Sequence, residues 1–194
     1  MQTEQDTIGH TAVVLDACVL FPTVMRELLL GVAAAGFISP VWSARILEEW
    51  ARAAGKSGSQ LEAVARGEIA LCRARWPEAE TPEIPGLEQQ LYLPDAADRH
   101  VLAAAIGSNA KLIVTMNLRD FPRRLLIGHG VQAQHPDQFL SLMTLEHPVA
   151  LTTIAAQVRG RAEELSGGEW PVRKLMKKAR LPRFAKALER LEKG

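Results

Sequence analysis

Four acidic residues are candidates for one chemistry: Asp16 at the end of an apolar run, Glu49 on a helix, Asp98 near a helix start and Asp120 in a turn. Carboxylates are hard oxygen ligands, and several converging on one spot suit Mg²⁺, which prefers octahedral oxygen coordination and keeps several waters. Metal-dependent hydrolysis of a polynucleotide needs that convergence. Read singly, each acid has a plainer alternative. Asp16 ends the apolar run Ala12–Leu15 and could cap the turn that follows. Glu48 and Glu49 are neighbours on a helix and point about 100° apart, so only one of them faces inward. Glu49, three residues from both Ile46 and Arg52, is the inward candidate, and Glu48 lies nearer the outer face. Either could be a solvated charge. Asp95, between Pro94 and Ala96, suits a helix N-cap. Asp98 then falls one turn inside the helix on the side of Leu102 and Ala105, a costly place for a carboxylate without a partner. A cation would supply one. Asp120, in a turn, could equally make an Asx-turn.

Other chemistries find less support. Cys18 lies in an apolar run with no histidine near it in sequence, which describes an inert core thiol better than a nucleophile. His10, His100, His129, His135 and His147 show neither metalloprotease spacing nor accompanying cysteine pairs, so a zinc site is not expected. No glycine loop of the phosphate-cradling kind occurs.

The elements that must position these acids follow from periodicity. Ala12–Leu15 reads as a buried strand delivering Asp16 at its C-terminal end. Pro22 opens a helix to about Ala35, with Leu28, Leu29 and Val32 at helical spacing and Gly36 as its stop. Ser43 caps a second helix to about Ala54, residues 61–75 form a weaker helical candidate, and WPEAETPEIPG reads as a surface loop. From Asp95 a helix runs to Gly107-Ser108-Asn109, followed by a strand over Lys111–Met116, a turn over Asn117–Pro122, a short apolar segment near Val131 and a helix over Pro136–Leu145. Strands alternating with helices predict a parallel sheet covered on both faces, with ligands at strand C-terminal ends. Both Asp16 and the Asn117–Asp120 turn fall there. The remainder reads as helical, broken at Gly167-Gly168 and Pro182.

Composition agrees with an ordinary globular protein: 194 residues, 47% of them apolar and 23% charged. Disorder throughout and a disulfide scaffold are excluded, since Cys18 and Cys72 are the only cysteines. The opening segment MQTEQDTIGH lacks a basic region followed by an apolar core, and Asp16, Arg26 and Glu27 interrupt the most apolar stretch. The expectation is a cytoplasmic protein with no membrane span. Charge is unevenly distributed: residues 1–145 hold 12 basic and 16 acidic side chains, residues 146–194 hold 11 and 6. The acidic part could bind a cation and the basic part could meet a polyanion, though both could also be solvated surface.

The segments LDACVLFP, RILEEWARAA, PDAADRHVLAAAIGSNAKLIVTMNLRDFP and HPDQFL, in this order and spacing, resemble the PIN-domain ribonucleases, in particular the VapC toxins of toxin–antitoxin pairs. The resemblance covers about residues 11–145 and extends into the tail, where PVRKLMKKARLPRFAKALER is similar to the helical C-terminal region of one VapC subgroup. It implies a three-layer α/β/α PIN-like fold with a central parallel sheet over residues 8–145, followed by a basic all-helical region over 146–194. It also implies an acidic pocket for Mg²⁺ or Mn²⁺, with Asp16, Glu49, Asp98 and Asp120 as its four acids and Asn117 as a supporting polar residue preceded by Thr115. Many relatives carry a polar residue two places after the first acid, where this chain has Cys18.

The activity so implied is metal-assisted hydrolysis of RNA, with Asp16 and Asp98 holding the ion, Glu49 and Asp120 completing the pocket or orienting water, and Asn117 hydrogen bonding. Arg119, Arg123 and Arg124 flank the acidic turn and could grip phosphates or be solvated. Lys174, Lys177 and Lys178 belong to a positive helical face with Arg173. Expected partners are RNA (tRNA or rRNA), an antitoxin protein and a second copy of the chain in a homodimer, for which Leu28, Leu29 and Val32 are surface candidates if they are not core. An inactive PIN-like scaffold that binds RNA or a partner is the alternative, and zero turnover with full metal supply would favour it. Haloacid-dehalogenase-type phosphatases also begin with a strand ending in Asp, but they need an Asp where Cys18 stands.

Overall fold

The computed structural model describes residues 11–193; MQTEQDTIGH, with His10, and Gly194 lie outside the described residues. Five strands form one parallel sheet in the order β3-β2-β1-β4-β5: β1 (Thr11–Leu15), β2 (Ile38–Ser43), β3 (Glu80–Thr81), β4 (Leu112–Val114) and β5 (Gln132–Gln134). Between and after them run α1 (Ala17–Leu20), α2 (Thr23–Ala34), α3 (Ala44–Gly55), α4 (Ser59–Arg75), α5 (Pro85–Gln90), α6 (Arg99–Gly107), α7 (Arg123–Leu126), α8 (Pro136–Glu146), α9 (Pro148–Ser166), α10 (Val172–Lys178) and α11 (Pro182–Lys193). β1 is central. The chain moves from it toward β3, then returns to the other side through β4 and β5, so right-handed crossovers place α2–α4 on one face and α6 and α7 on the other. α6 packs on β1, β2 and β4, while α2 and α3 pack against β2. This is a three-layer α/β/α arrangement with helices continuing beyond it.

The strands follow from their burial. Val13, Val14 and Leu15 are each at most 1% exposed, as a central parallel strand covered on both faces requires. β2 carries Pro40 and escapes a reading by alternation, because proline argues against a central strand. It is tolerated because β3 is only two residues long and pairs with Trp42 and Ser43, so β2 has no strand partner on that flank at Pro40. β3 and α5 also mean that WPEAETPEIPG is not wholly loop. The helix expected from Pro22 is α2, and a further short helix that the sequence reading did not separate, α1, precedes it before Phe21-Pro22.

Leu28, Leu29 and Val32 are completely buried, so they are core and not an association surface. The tail is also built into the core: Leu151, Ile154, Leu175, Met176, Phe184 and Leu188 belong to the same buried cluster as Val14 and Trp50. Two devices fix it there. At Gly31 a Cβ would stand 2.6 Å from Ile154 Cγ2, so α9 approaches α2 through the missing side chain. Asp137, 5% exposed near the start of α8, accepts from the backbone N–H groups of Arg183 (3.0 Å) and Phe184 (2.9 Å) in the first turn of α11.

Helix stops use the left-handed conformation in the usual way at Gly36 and Asn109. α10 differs. Its stop is a Schellman turn, with Leu181 N–H donating to the Met176 carbonyl (2.8 Å) and Arg180 N–H to that of Lys177 (3.0 Å), yet the left-handed residue is Arg180, φ +62°. A non-glycine residue there costs roughly 1 kcal/mol or more.

Candidate active site

β1 is the point where the order of the sheet reverses, and ligands of open α/β sheets bind outside the strand C-termini at such a point. Asp16 follows β1 directly and is 5% exposed. Its Oδ2 accepts from Thr115 Oγ1 (2.6 Å), just past β4, and from the Cys18 thiol (3.1 Å) on α1. Among the described residues Oδ1 accepts no hydrogen bond. Thr115 is completely buried, and its hydroxyl also accepts from Asn117 N–H (3.1 Å). A buried hydroxyl therefore ties the first acid to the turn that carries Asn117 and Asp120.

At the position where the resemblance expects a polar residue, it is the Cys18 thiol that donates to Asp16. Burial, then the Asp16 charge, pushes that thiol up to about 12, so it is no nucleophile. Met116 N–H donates to its sulfur (3.2 Å).

Asp95 caps the turn before α6, accepting from Ala97 N–H at 2.8 Å. Asp98 does not lie one turn inside that helix: a 3₁₀ turn spans Ala96–Asp98, and Asp98 immediately precedes α6, half-buried. The 3₁₀ turn, a frequent start to an α-helix, sets Asp98 at the mouth of α6 rather than in its body. Burial pushes its carboxyl up to about 6, followed by the negative charges of Asp16, Asp95 and Asp120, with His100 opposing. Acids from three separate segments thus share one field. Asp120 ends the 3₁₀ turn Leu118–Asp120 and is 17% exposed at its side chain; Arg119 Nε lies 3.6 Å from Asp120 Oδ1 on a side chain that is 90% exposed. Asn117, Arg123 and Arg124 are exposed beside it.

The two glutamates of α3 part as their angular separation requires. Glu48 joins Arg52 (3.0 Å) and Arg66 (2.9 Å) on the outside, and these arginines hold its carboxyl down at about 2. Glu49 Oε1 is 3.0 Å from Nε2 of buried His100 and 3.5 Å from Arg45 Nε. Neither His100 nitrogen meets full hydrogen-bond geometry, so this is a close approach rather than a directed bond. Arg45 could have been found from its i,i+4 spacing to Glu49; His100, 51 positions away, carries no local signal. Among the described residues no three Asp, Glu, His or Cys side chains form a ready-made metal cage.

The basic tail reaches this edge. Lys178 and Arg180 join Cys18, Met116 and Asn117 around a pocket of about 530 Å³. Lys174 and Lys178 lie over the Trp170 ring at 5.7 and 4.7 Å, Lys177 is exposed, and Arg173 pairs with Glu189 at 3.3 Å.

A family model described as PIN domain matches residues 11–119. A Mycobacterium tuberculosis protein named "Putative ribonuclease VapC50" is 54% identical over 43 residues, 22% of this chain and 25% of that protein. The aligned stretch therefore spans about a quarter of that relative's length. No solved structure matches the chain.

Proposed function

The chain belongs to the PIN-domain family, whose model spans more than half of it, and from that premise we propose that it is a VapC-like ribonuclease hydrolysing RNA phosphodiester bonds with Mg²⁺ or Mn²⁺. The observation that supports this reading is the convergence of Asp16, Asp98 and Asp120 at the reversal of the sheet, with Asp98 raised to about 6 by burial and by its acidic neighbours. A bound cation is what favours such a carboxyl as an anion. The donors are all hard oxygens, and Mg²⁺ is usually held by one or two carboxylates, waters and substrate phosphate rather than by a full protein cage. A site without three preassembled ligands suits an ion shared with the substrate.

In this reading Asp16 and Asp98 hold the ion. Thr115 and Cys18, both on Oδ2 of Asp16, hold that carboxylate in place and leave Oδ1 to the ion. Glu49 and Asp120 complete the pocket and orient the attacking water, Asn117 hydrogen bonds the substrate, and Arg119, Arg123 and Arg124 grip flanking phosphates. When bound, the cation lowers the pKa of a coordinated water and offsets charge growing on the phosphoryl group. The water oxygen bonds to phosphorus, the P–O ester bond breaks, and the leaving oxygen takes up a proton. The protein would act as a homodimeric cytoplasmic toxin restrained by an antitoxin. Among the described residues no helix is long and apolar enough to cross a membrane.

The test is RNA cleavage by full-length protein after chelation, then with Mg²⁺ or Mn²⁺ restored, alongside its melting temperature in the same buffers. Restored cleavage and a metal-dependent rise in Tm, both lost in Asp16→Asn, are expected. Equal cleavage in chelator would overturn metal dependence, and zero turnover at saturating metal would leave an RNA- or partner-binding scaffold. Sedimentation at micromolar concentration checks the dimer independently.

A further inference from the structure

The pocket beside the acids draws on segments far apart in the chain, from residues 17–25 to 178–180. Its floor is apolar, made by Phe21, Pro22 and Met25 after α1 and by Met116 after β4. Cys18 lines it while bonding Asp16, so the pocket adjoins the first acid through a single side chain. The end of α10 and the turn that follows it add a cationic part of the lining, Lys178 and Arg180. Phe21, 42% exposed, is an aromatic face that the core leaves to solvent.

Arg180 supplies an independent observation. It occupies the left-handed position of a Schellman turn, where glycine fits without steric cost. Backbone held in a sparsely populated region persists only where the surroundings impose it, and it gathers at ligand-binding sites. Here the surroundings impose it twice, through the hydrogen bonds closing α10 and through Asp137 holding Arg183 and Phe184 just beyond. Lys178 is steadied from behind by Trp170, whose indole N–H donates to Ser166 Oγ at 2.8 Å. Among the described residues neither Lys178 nor Arg180 forms an ion pair with a carboxylate, whereas Arg173 on the same helix does.

An apolar floor with an aromatic face, a cationic wall and a polar edge at Asn117 complements one chemistry in particular. We propose that this pocket is a subsite for an unpaired nucleotide next to the scissile bond, its base on Phe21 and Met116 and its phosphate on Lys178 and Arg180. The volume of about 530 Å³ lies within the range of small-ligand pockets, roughly 300–1,000 Å³. Bases stack on aromatic faces and arginine planes only when splayed out of a helix, so the subsite selects single-stranded or looped RNA over duplex. The tail is then part of the substrate groove. This inference rests on the ribonuclease reading for the neighbouring scissile bond, but not for the binding it describes.

The experiment measures binding of full-length protein, in chelator so that RNA stays intact, to three fluorescent probes: a short single-stranded RNA, the same strand annealed to its complement, and the same strand with abasic riboses. Tighter binding of the single strand than of the other two is expected. Phe21→Ala should weaken it about tenfold, the scale of one lost base–aromatic stack. Arg180→Gly should weaken it while leaving Tm unchanged or higher, since glycine accepts the left-handed turn. Arg180→Lys, keeping charge without the guanidinium plane, should fall between. Equal affinity for the abasic strand, or wild-type affinity in Phe21→Ala and Arg180→Gly, overturns the subsite and leaves the pocket to a protein segment. A lowered Tm in Arg180→Gly overturns the claim that the turn is held for binding. Cleavage with Mn²⁺ that is indifferent to both variants sinks the subsite alone. Single-strand preference without cleavage in any metal sinks the ribonuclease reading alone.

Discussion

At the scale of single residues, the separation of Glu48 from Glu49 shows how one peptide step decides a role. Glu48 is committed to Arg52 and Arg66 on the outside, while Glu49 is turned toward His100. Glu49→Gln is expected to impair RNA cleavage severely and Glu48→Gln only mildly, read as initial rates at saturating metal; the reverse order would place the wrong face in the site. Asp98 gives a prediction with a definite sign. Its folded-state pKa is raised from 3.8 to about 6, so between these values the folded protein holds more protons than the unfolded chain. Stability therefore falls as pH rises through that window, with the full penalty present above about 6 and none below about 4. In chelator, Asp98→Asn should be more stable than the parent at pH 7 by about 1 kcal/mol, discounted for partial exposure, and no more stable at pH 4. Denaturant titrations at the two pH values check it. Competition with this proton should also weaken Mg²⁺ binding below about pH 6.

At the scale of elements, the attachment of the tail depends on one missing side chain and one buried carboxylate. Gly31→Val forces α9 away from α2 at Ile154, and overpacking of this kind costs about 1–3 kcal/mol. Asp137→Ala leaves the Arg183 and Phe184 N–H groups without their acceptor, at about 1–3 kcal/mol. Both variants should lower Tm, whereas Gly31→Ala should cost less than Gly31→Val; equal Tm for all three would show that α9 docks elsewhere. Most of the layered fold is legible in the sequence because its signals are local: a β-branched run ending at Asp16, Ser43 as a cap, Gly36 and Asn109 as stops. β2 is not, since Pro40 and a short run hide a strand whose identity depends on β3 being too short to reach it. Asp16 is legible as a strand end, Asp98 near a helix start and Asp120 in a turn, while Glu49 is told from Glu48 by helical angle. Their partners Thr115 and His100 are not, because a bond spanning 99 positions leaves no periodic trace.

At the scale of the whole molecule, the charge asymmetry acquires a geometry. The acids gather at one edge of the sheet, and the basic tail folds back so that its α10–α11 turn meets that same edge. An acidic centre repels a phosphate backbone until a cation is present, so positive charge next to it would hold RNA in place meanwhile. The tail's contributions are unequal. Arg173 is already spent on Glu189, whereas Lys174 and Lys178 rest on Trp170 and Lys177 is exposed. Counterion release from single strands contributes about 0.7 to the slope of log affinity against log salt for each phosphate neutralised. Replacing Lys174, Lys177 and Lys178 together by Gln should therefore flatten that slope by about 2, while adding Arg173→Gln should change it little further. The chemical step at saturating RNA should stay near the parent rate, because these side chains carry charge to the backbone and not to the reacting phosphorus. A slope unchanged in the triple variant would mean that the charge of these three lysines serves packing or a protein partner, and that RNA is held by other cations, Arg180 and Arg119, Arg123 and Arg124 among them.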